Sequence, residues 1–539
     1  MSVTNIIGKL PSLKLFQRAL ANGDRVAIVN NVVVHNNNST NNQSSSFTYN
    51  QLLHESYLIQ QQLTHNLTLR NQSPDLEQQR VAFIAAPGFD YVRTQWAAWR
   101  AGGVAVPLAI SHPERELHYT LTNSQPSHLV TTSAMQDKVS SLAKELNIPL
   151  IVLPPPSNDR IVVDPVEAAH HNTPFDSRRN AMMIYTSGTT GKPKGCVTTH
   201  NTVQAQVTAL VDAWKWVPDD RILHILPLHH VHGVINALTC ALWSGATAEI
   251  MDRFDPHAVH DRIIAGANPG SGMSPISLFM AVPTIYSKLV STFDATTDAA
   301  TRQRMSAAWR TLRLMVSGSA ALPAPLFDRW ETITGQRLLE RYGMTEIGMA
   351  LSNPYEMAGR LGGTVGYPLP GVDVRVEDDG QLLVRGPQLF KEYWQRPDAT
   401  KECFTDDGYF KTGDTVAVDN TGRFSILGRT SVDIIKSAGY KISALDIERE
   451  LLAHPSILDV AVIGLPDEQY GQTIGVILVA KPELQQWCKQ RMAPYKQPRQ
   501  LLWLVEIPKN PMMKVNKKSL VQLFANNNNN NNNSGSGSS

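Results

Sequence analysis

Apolar residues in this chain come in short runs that alternate with stretches of helical spacing. Arg80–Ala86 (RVAFIAA), Pro149–Leu153, Ala181–Tyr185 and Arg221–Leu226 are apolar runs of strand length. Gln95–Ala101 and Thr202–Ala213 carry helical patterns instead. The alternation predicts an α/β architecture with largely parallel strands. The pattern changes near residue 429. Beyond Gly428-Arg429, Ile442–Leu452 reads as a helix with acids in its first turns, and Asp459–Gly464 and Ile474–Ala480 read as strands. That is the signature of a separate, compact α+β unit.

Two segments break the pattern. Residues 35–46, HNNNSTNNQSSS, are polar and low in complexity. They interrupt a hairpin between Val26–Val34 and Phe47, and are expected to form a solvated loop insertion. The tail, residues 525–539, is Asn-rich and then Gly/Ser-rich. It has almost nothing apolar to bury and is expected to be disordered. The expected division is an N-terminal extension at 1–14, a large domain at 15–428, a hinge at 429–433 and a small domain at 434–524.

Composition narrows the classes. The 539 residues exceed the about 100–200 of one domain. The formal net charge is +2, from 49 basic and 47 acidic residues, and no long basic run suggests nucleic acid. No apolar stretch approaches the ~18 residues that span a bilayer. Cys196, Cys240, Cys403 and Cys488 form no CxxC pair, so neither a zinc site nor a disulfide framework is indicated. Lys9, Lys14 and Arg18 precede the first acid, Asp24, as in a mitochondrial presequence, yet Leu15 to Ala21 equally suits the first helix of the domain. The cytoplasm is favoured over the mitochondrial matrix, and a monomer is expected.

The sharpest chemical signal is the string Tyr185-Thr186-Ser187-Gly188-Thr189-Thr190-Gly191-Lys192-Pro193-Lys194-Gly195. Glycines let backbone N–H groups approach phosphates, hydroxyls donate hydrogen bonds and lysines supply charge. It is not a Walker loop. Two residues separate Gly188 from Gly191, and Pro193 stands where a magnesium-binding hydroxyl belongs.

The string resembles the signature of the adenylate-forming superfamily: acyl-CoA synthetases, luciferases and peptide-synthetase adenylation domains. Further resemblances follow in order. They are Arg341-Tyr342-Gly343-Met344-Thr345-Glu346, then Thr412-Gly413-Asp414, then Gly428-Arg429 with Asp433, Lys436 and Gly439, and finally Lys514. The resemblance spans about residues 15–524. It implies a large domain of mixed sheets flanked by helices and a small, mobile α+β C-terminal domain. It also implies ATP and Mg²⁺, with coenzyme A as co-substrate.

The same resemblance implies roles. Thr186, Ser187, Gly188, Thr189, Thr190 and Lys194 would hold the β- and γ-phosphates, and Glu346 the magnesium ion. Thr345 would touch the α-phosphate. Gly318, Ser319, Ala320 and Tyr342 would wall the adenine site, and Asp414 with Arg429 would hold the ribose. Lys514 would bridge the substrate carboxylate and the α-phosphate. Met513 stands where the family usually has glycine, which leaves the local turn open. Lys436 and Gly439, in the loop Lys436–Lys441, would face the site when a thiol attacks the adenylate.

Pro227–Gly233 (PLHHVHG) resembles the family's acyl gate, with His230 at its usual histidine. His232 replaces an aromatic or aliphatic pocket residue, and Arg341 a glycine. A guanidinium pairs bidentately with carboxylate. Together they imply a short acid with a second carboxylate, which Ser319 would help to hold. This resembles the malonyl-CoA synthetase branch and points to malonate, with methylmalonate as an alternative. On residue chemistry alone, His232 as a satisfied core histidine and Arg341 paired with Glu340 or Asp328 stay open. So do a ligase for another short, medium-chain or aryl acid and an inactive binding protein.

Overall fold

The computed structural model describes residues 7–36, 39–69, 73–157, 159, 161–163, 172–186, 192–437, 440–454, 456–479, 484–509 and 515–533. Two large sheets, of seven and nine strands, carry the first two-thirds of the chain. The centre of the seven-stranded sheet is parallel, with Arg80–Ile84 between Val104–Pro107 and His128–Thr132. The nine-stranded sheet is parallel from Val26–Asn36 through Thr247–Met251, Arg221–His224, Leu278–Ala281 and Leu314–Ser317 to Leu339–Met344. Strands covered by helices on both faces must be apolar throughout. Val81, Ala82, Phe83 and Ile84 accordingly lie fully inside, as do Leu314, Met315 and Val316.

Helices cover these sheets where the sequence predicts them. Gln95–Ala101 belongs to a helix over Phe89–Arg100, and Thr202–Ala213 to one over His200–Ala213. Thr199 caps the latter by accepting the Thr202 N–H. The helix Lys14–Ala21 buries Leu15, Phe16, Ala19 and Leu20, so this basic segment is part of the folded domain. Among the described residues, no helix is long and apolar enough to cross a membrane.

Two expectations need correction. Residues 35–46 are not a loop insertion. Strands Val26–Asn36 and Ser39–Thr48 pair as far as Asn36↔Ser39, with one register shift between Val26 and Ile28, and only 37–38 of this hairpin lie outside the described residues. Backbone pairing on a sheet edge does not require apolar side chains, so a polar strand extends the hairpin. The tail is also not irregular from 525. A helix runs Lys517–Asn533, anchored by the buried Leu520 and Phe524. Once a helix is nucleated by packed turns, each further residue adds a hydrogen bond at little cost. The last six residues lie outside the described set.

A four-stranded sheet, from Asp373–Val376 to Phe424–Arg429, precedes the C-terminal unit. A five-stranded sheet begins at Ile434 and is covered by helices Ala444–Leu452, Leu484–Arg491 and Lys517–Asn533. Strand Tyr440–Ser443 takes the first residues of the expected Ile442–Leu452 helix. Chain passage from one sheet to the other therefore occurs within 430–433.

Candidate active site

The candidate residues gather where parallel strands end. Strand Leu314–Ser317 runs into Gly318, Ser319 and Ala320, and strand Leu339–Met344 leads through Thr345 to Glu346. Thr186 and Lys194 come from the seven-stranded sheet, where they face each other across an antiparallel pair. In open α/β sheets the carboxyl ends of strands are where ligands bind.

On the nucleotide side the groups satisfy one another. The Tyr342 hydroxyl donates to Asp414 Oδ2 at 2.5 Å. Arg429 Nε lies 3.0 Å from Asp414 Oδ1, and its Nη1 donates to the Thr412 carbonyl at 2.7 Å. Burial first, and then the Asp414 carboxylate, raise the Tyr342 phenol well above its ordinary range, so it stays a donor. Asp433 Oδ2 accepts the Arg429 N–H at 2.8 Å. Gly428, with φ of +127°, gives that contact room, because a Cβ there would lie 2.4 Å from Asp433 Cβ.

Glu346 is buried, and its Oε1 accepts the Tyr393 hydroxyl at 2.7 Å. Lys194 Nζ stands 4.5 Å from the centroid of the same tyrosine ring. Among the described residues, no three His, Cys, Asp or Glu side chains cluster to hold a metal unaided. The single carboxylate of Glu346 fits Mg²⁺, which commonly takes one or two acids and completes its shell with phosphate oxygens and water.

The acyl side differs. Arg341 is only 4% exposed, and its Nε and Nη2 have no hydrogen-bond partner. Burial alone pushes the guanidinium down, to about 9, and no carboxylate opposes that push. Arg341 pairs with neither Glu340 nor Asp328. Strand alternation sends Glu340 to the opposite face, where it accepts the Gly363 N–H at 2.9 Å and burial pushes it up to about 7. Gly318 makes room for the arginine, since a Cβ there would come 2.5 Å from Arg341 Cζ.

His232 opens a π-helix, His232–Thr239, a geometry that recurs at functional sites. Burial, then the Arg341 charge, hold its imidazole neutral. Ser319 Oγ lies 3.2 Å from His232 Nδ1, while Nε2 has no partner. With the serine donating to Nδ1, Nε2 carries the proton and is a free donor. Ser319 itself sits at φ +70°, a backbone region that non-glycine residues seldom adopt. His224, unnoticed in the sequence, fixes this turn: its Nδ1 accepts the Leu226 N–H and its Nε2 bonds the Gly233 carbonyl at 2.9 Å.

The remaining predicted residues contribute less directly described contacts. The His230 ring lies 4.2 Å from that of His229, Ala320 follows strand Leu314–Ser317 by three residues, and Thr345 comes directly after strand Leu339–Met344. Lys436 is exposed on strand Ile434–Ser437, and its N–H donates to Gln472. Lys517 is buried between Asp433 and Glu448, 2.7 Å from each. Ser187, Gly188, Thr189, Thr190, Gly191, Gly439, Met513 and Lys514 lie outside the described residues. Tyr393 carried no chemical signal in the sequence, because its partner is 47 residues away.

The sheet-end placement, the paired tyrosine, aspartate and arginine, and the single metal-suited carboxylate define a nucleotide-handling α/β enzyme. The chain belongs to the AMP-binding enzyme family: the pattern of that family matches residues 15–394, and that of the AMP-binding enzyme C-terminal domain matches 446–514. It is 44% identical to the mitochondrial malonate–CoA ligase ACSF3 of Homo sapiens, over 95% of this chain and 92% of that one. It is 41% identical to a malonate–CoA ligase of Arabidopsis thaliana, over 83% and 78% of the two chains. Among solved structures, ATP-bound MatB from Rhodopseudomonas palustris superposes with a TM-score of 0.76 at 28% identity, covering 95% of this chain and 98% of that one.

Proposed function

We propose that this protein is an AMP-forming malonate–CoA ligase, converting ATP, malonate and coenzyme A to malonyl-CoA, AMP and diphosphate through an acyl-adenylate. The carrying observation is the buried Arg341 guanidinium, which has no anionic partner among the described residues. A buried charge without a partner is strongly unfavourable, and a ligand carboxylate relieves it. A malonate relative is the simplest occupant. Its distal carboxylate pairs with Arg341 and accepts from His232 Nε2, with Ser319 holding the imidazole.

That anchoring leaves the second carboxylate to attack the α-phosphorus of ATP and expel diphosphate. Asp414 and Arg429 hold the ribose, Lys194 and Thr186 the outer phosphates, and Glu346 would hold Mg²⁺. Magnesium, when bound, neutralises charge developing on the polyphosphate. Lys514 is assigned to the attacking carboxylate and the α-phosphate, where a cation stabilises the developing charge. The small domain, 434–524, then turns about 429–433 and brings the Lys436–Lys441 segment to the site. The coenzyme A thiol attacks the acyl carbonyl and AMP leaves. Domain rotation about a short hinge is a known route from one task to the next. The mitochondrial matrix is the proposed compartment, because the similar human protein is a mitochondrial one; a fluorescent fusion that stays cytosolic would remove that part.

The test is an acid panel read as AMP formation. Malonate is expected to lead. Methylmalonate follows within the range of one methyl group, ~1–3 kcal/mol. Acetate and medium-chain acids fall far behind. Equal rates for acetate and malonate sink the dicarboxylate assignment. Absence of pyrophosphate release with every acid, from folded protein, sinks the ligase.

A further inference from the structure

One phenol joins two groups that the sequence assigns to the polyphosphate separately. Tyr393 lies on the short edge strand Glu392–Tyr393, antiparallel to the strand Lys194–Thr199. Its side chain is buried against Phe390, at 4.8 Å between ring centroids. The hydroxyl donates to Glu346 Oε1 at 2.7 Å, and Lys194 Nζ sits over the ring at 4.5 Å. The backbone around it is tied to both neighbours. Phe390 N–H donates to the Glu346 carbonyl, and Trp394 N–H to the Gly195 carbonyl, each at 2.7 Å.

We propose that Tyr393 is a positioning residue for the magnesium and polyphosphate half of the site, its hydroxyl fixing the Glu346 carboxylate and its ring face fixing Lys194. The proposal rests on the adenylate-forming reading of the site. Two chemical consequences follow from the geometry. With Oε1 engaged by the hydroxyl, Oε2 is the oxygen presented to a cation. The ammonium of Lys194, attracted to the ring quadrupole, is held over the face of the same tyrosine. A carboxylate without this bond would rotate freely about its last torsion and lose its preorganisation.

Tyr393→Phe keeps the packed ring and removes only the bond. The first readout is Mn²⁺ binding to the protein–ATP complex, followed by electron paramagnetic resonance. The dissociation constant is expected to rise roughly ten-fold, the typical weight of a hydrogen bond to a charged group. The Mg²⁺ concentration for half-maximal pyrophosphate release should rise in parallel, while the KM for malonate stays at its wild-type value. Tyr393→Leu, which also removes the ring face, should raise the KM for ATP further than Tyr393→Phe. Unchanged Mn²⁺ binding and Mg²⁺ dependence in Tyr393→Phe overturn the proposal. So does an equal loss toward all substrates with a lowered melting temperature, which marks a packing role. A wild-type protein that binds no Mn²⁺ with ATP overturns the underlying reading as well, and is distinguished by that control.

Discussion

The two halves of the site handle charge in opposite ways. On the nucleotide side, Asp414 is answered by Arg429 and Tyr342, and Glu346 by Tyr393. On the acyl side, Arg341 is buried with two of its nitrogens unpartnered, and His232 has an unpartnered Nε2. The described groups of the first half answer one another within the protein. The second holds an unfavourable group that only one class of ligand relieves. The difference separates general chemistry from selectivity. Nucleotide binding is common to the AMP-binding enzyme family, so the nucleotide side can be self-consistent. Discrimination among acids is a difference of affinities, and a buried donor set that an apolar acid cannot pair rejects that acid strongly.

The largest expected effect comes from removing the unanswered charge. Arg341→Met should lower kcat/KM for malonate roughly thousand-fold, the scale for deleting one partner of a buried charge pair. The KM for ATP should hardly move. The same variant should melt at a higher temperature than wild type when no ligand is present, because the apo protein no longer buries an unpaired guanidinium. Retained malonate selectivity, or a lower apo melting temperature, breaks the contrast between the two halves.

The strand that delivers Arg341 also carries a buried acid one residue earlier, on its other face. Burial, opposed by the Gly363 N–H and Arg449, pushes Glu340 from 4.5 up to about 7. The folded protein therefore keeps this proton at a pH where the unfolded chain has lost it. Its stabilising effect is fully present below about pH 4.5 and is lost as pH rises through about 7. The loss amounts to about 3 kcal/mol at most. Glu340→Gln should flatten that decline, seen as the difference in urea midpoint between pH 5 and pH 8. An equal slope in both proteins assigns the decline to other groups, and Glu340 then joins the charges that the protein answers internally.

How much of this was legible in the sequence follows from where the information lies. The motif residues Tyr342, Glu346, Asp414 and Arg429 sit in short contiguous strings, and the fold brings those strings to one place. Arg341 and His232 stood out because charged or polar residues occupy positions expected to be apolar. Tyr393 and His224 did not stand out. Their roles arise from contacts across strands, and a lone tyrosine after a glutamate, or a histidine ending a strand, reads as ordinary core. The polar hairpin at 35–46 and the helix through 525–533 were misread for a related reason. Composition reports what side chains can bury, whereas both elements continue through backbone hydrogen bonds nucleated by apolar neighbours.

The smallest of these effects tests the satisfied half directly. Asp414 holds a hydroxyl on one oxygen and a guanidinium on the other, and is 6% exposed. Asp414→Asn keeps the shape but replaces one acceptor with a donor. Turned toward Tyr342 or toward Arg429, the new N–H₂ meets another donor, so one bond is lost in either orientation. A surviving bond loses the carboxylate's charge, and together the changes cost about 2 kcal/mol. Titration with ATP should show a KM raised roughly thirty-fold. Relative rates across the acid panel should be unchanged, because nothing on the acyl side depends on Asp414. If acid selectivity shifts along with the KM for ATP, the two halves are coupled through the strand Leu339–Met344, whose Arg341 and Tyr342 would then not act independently.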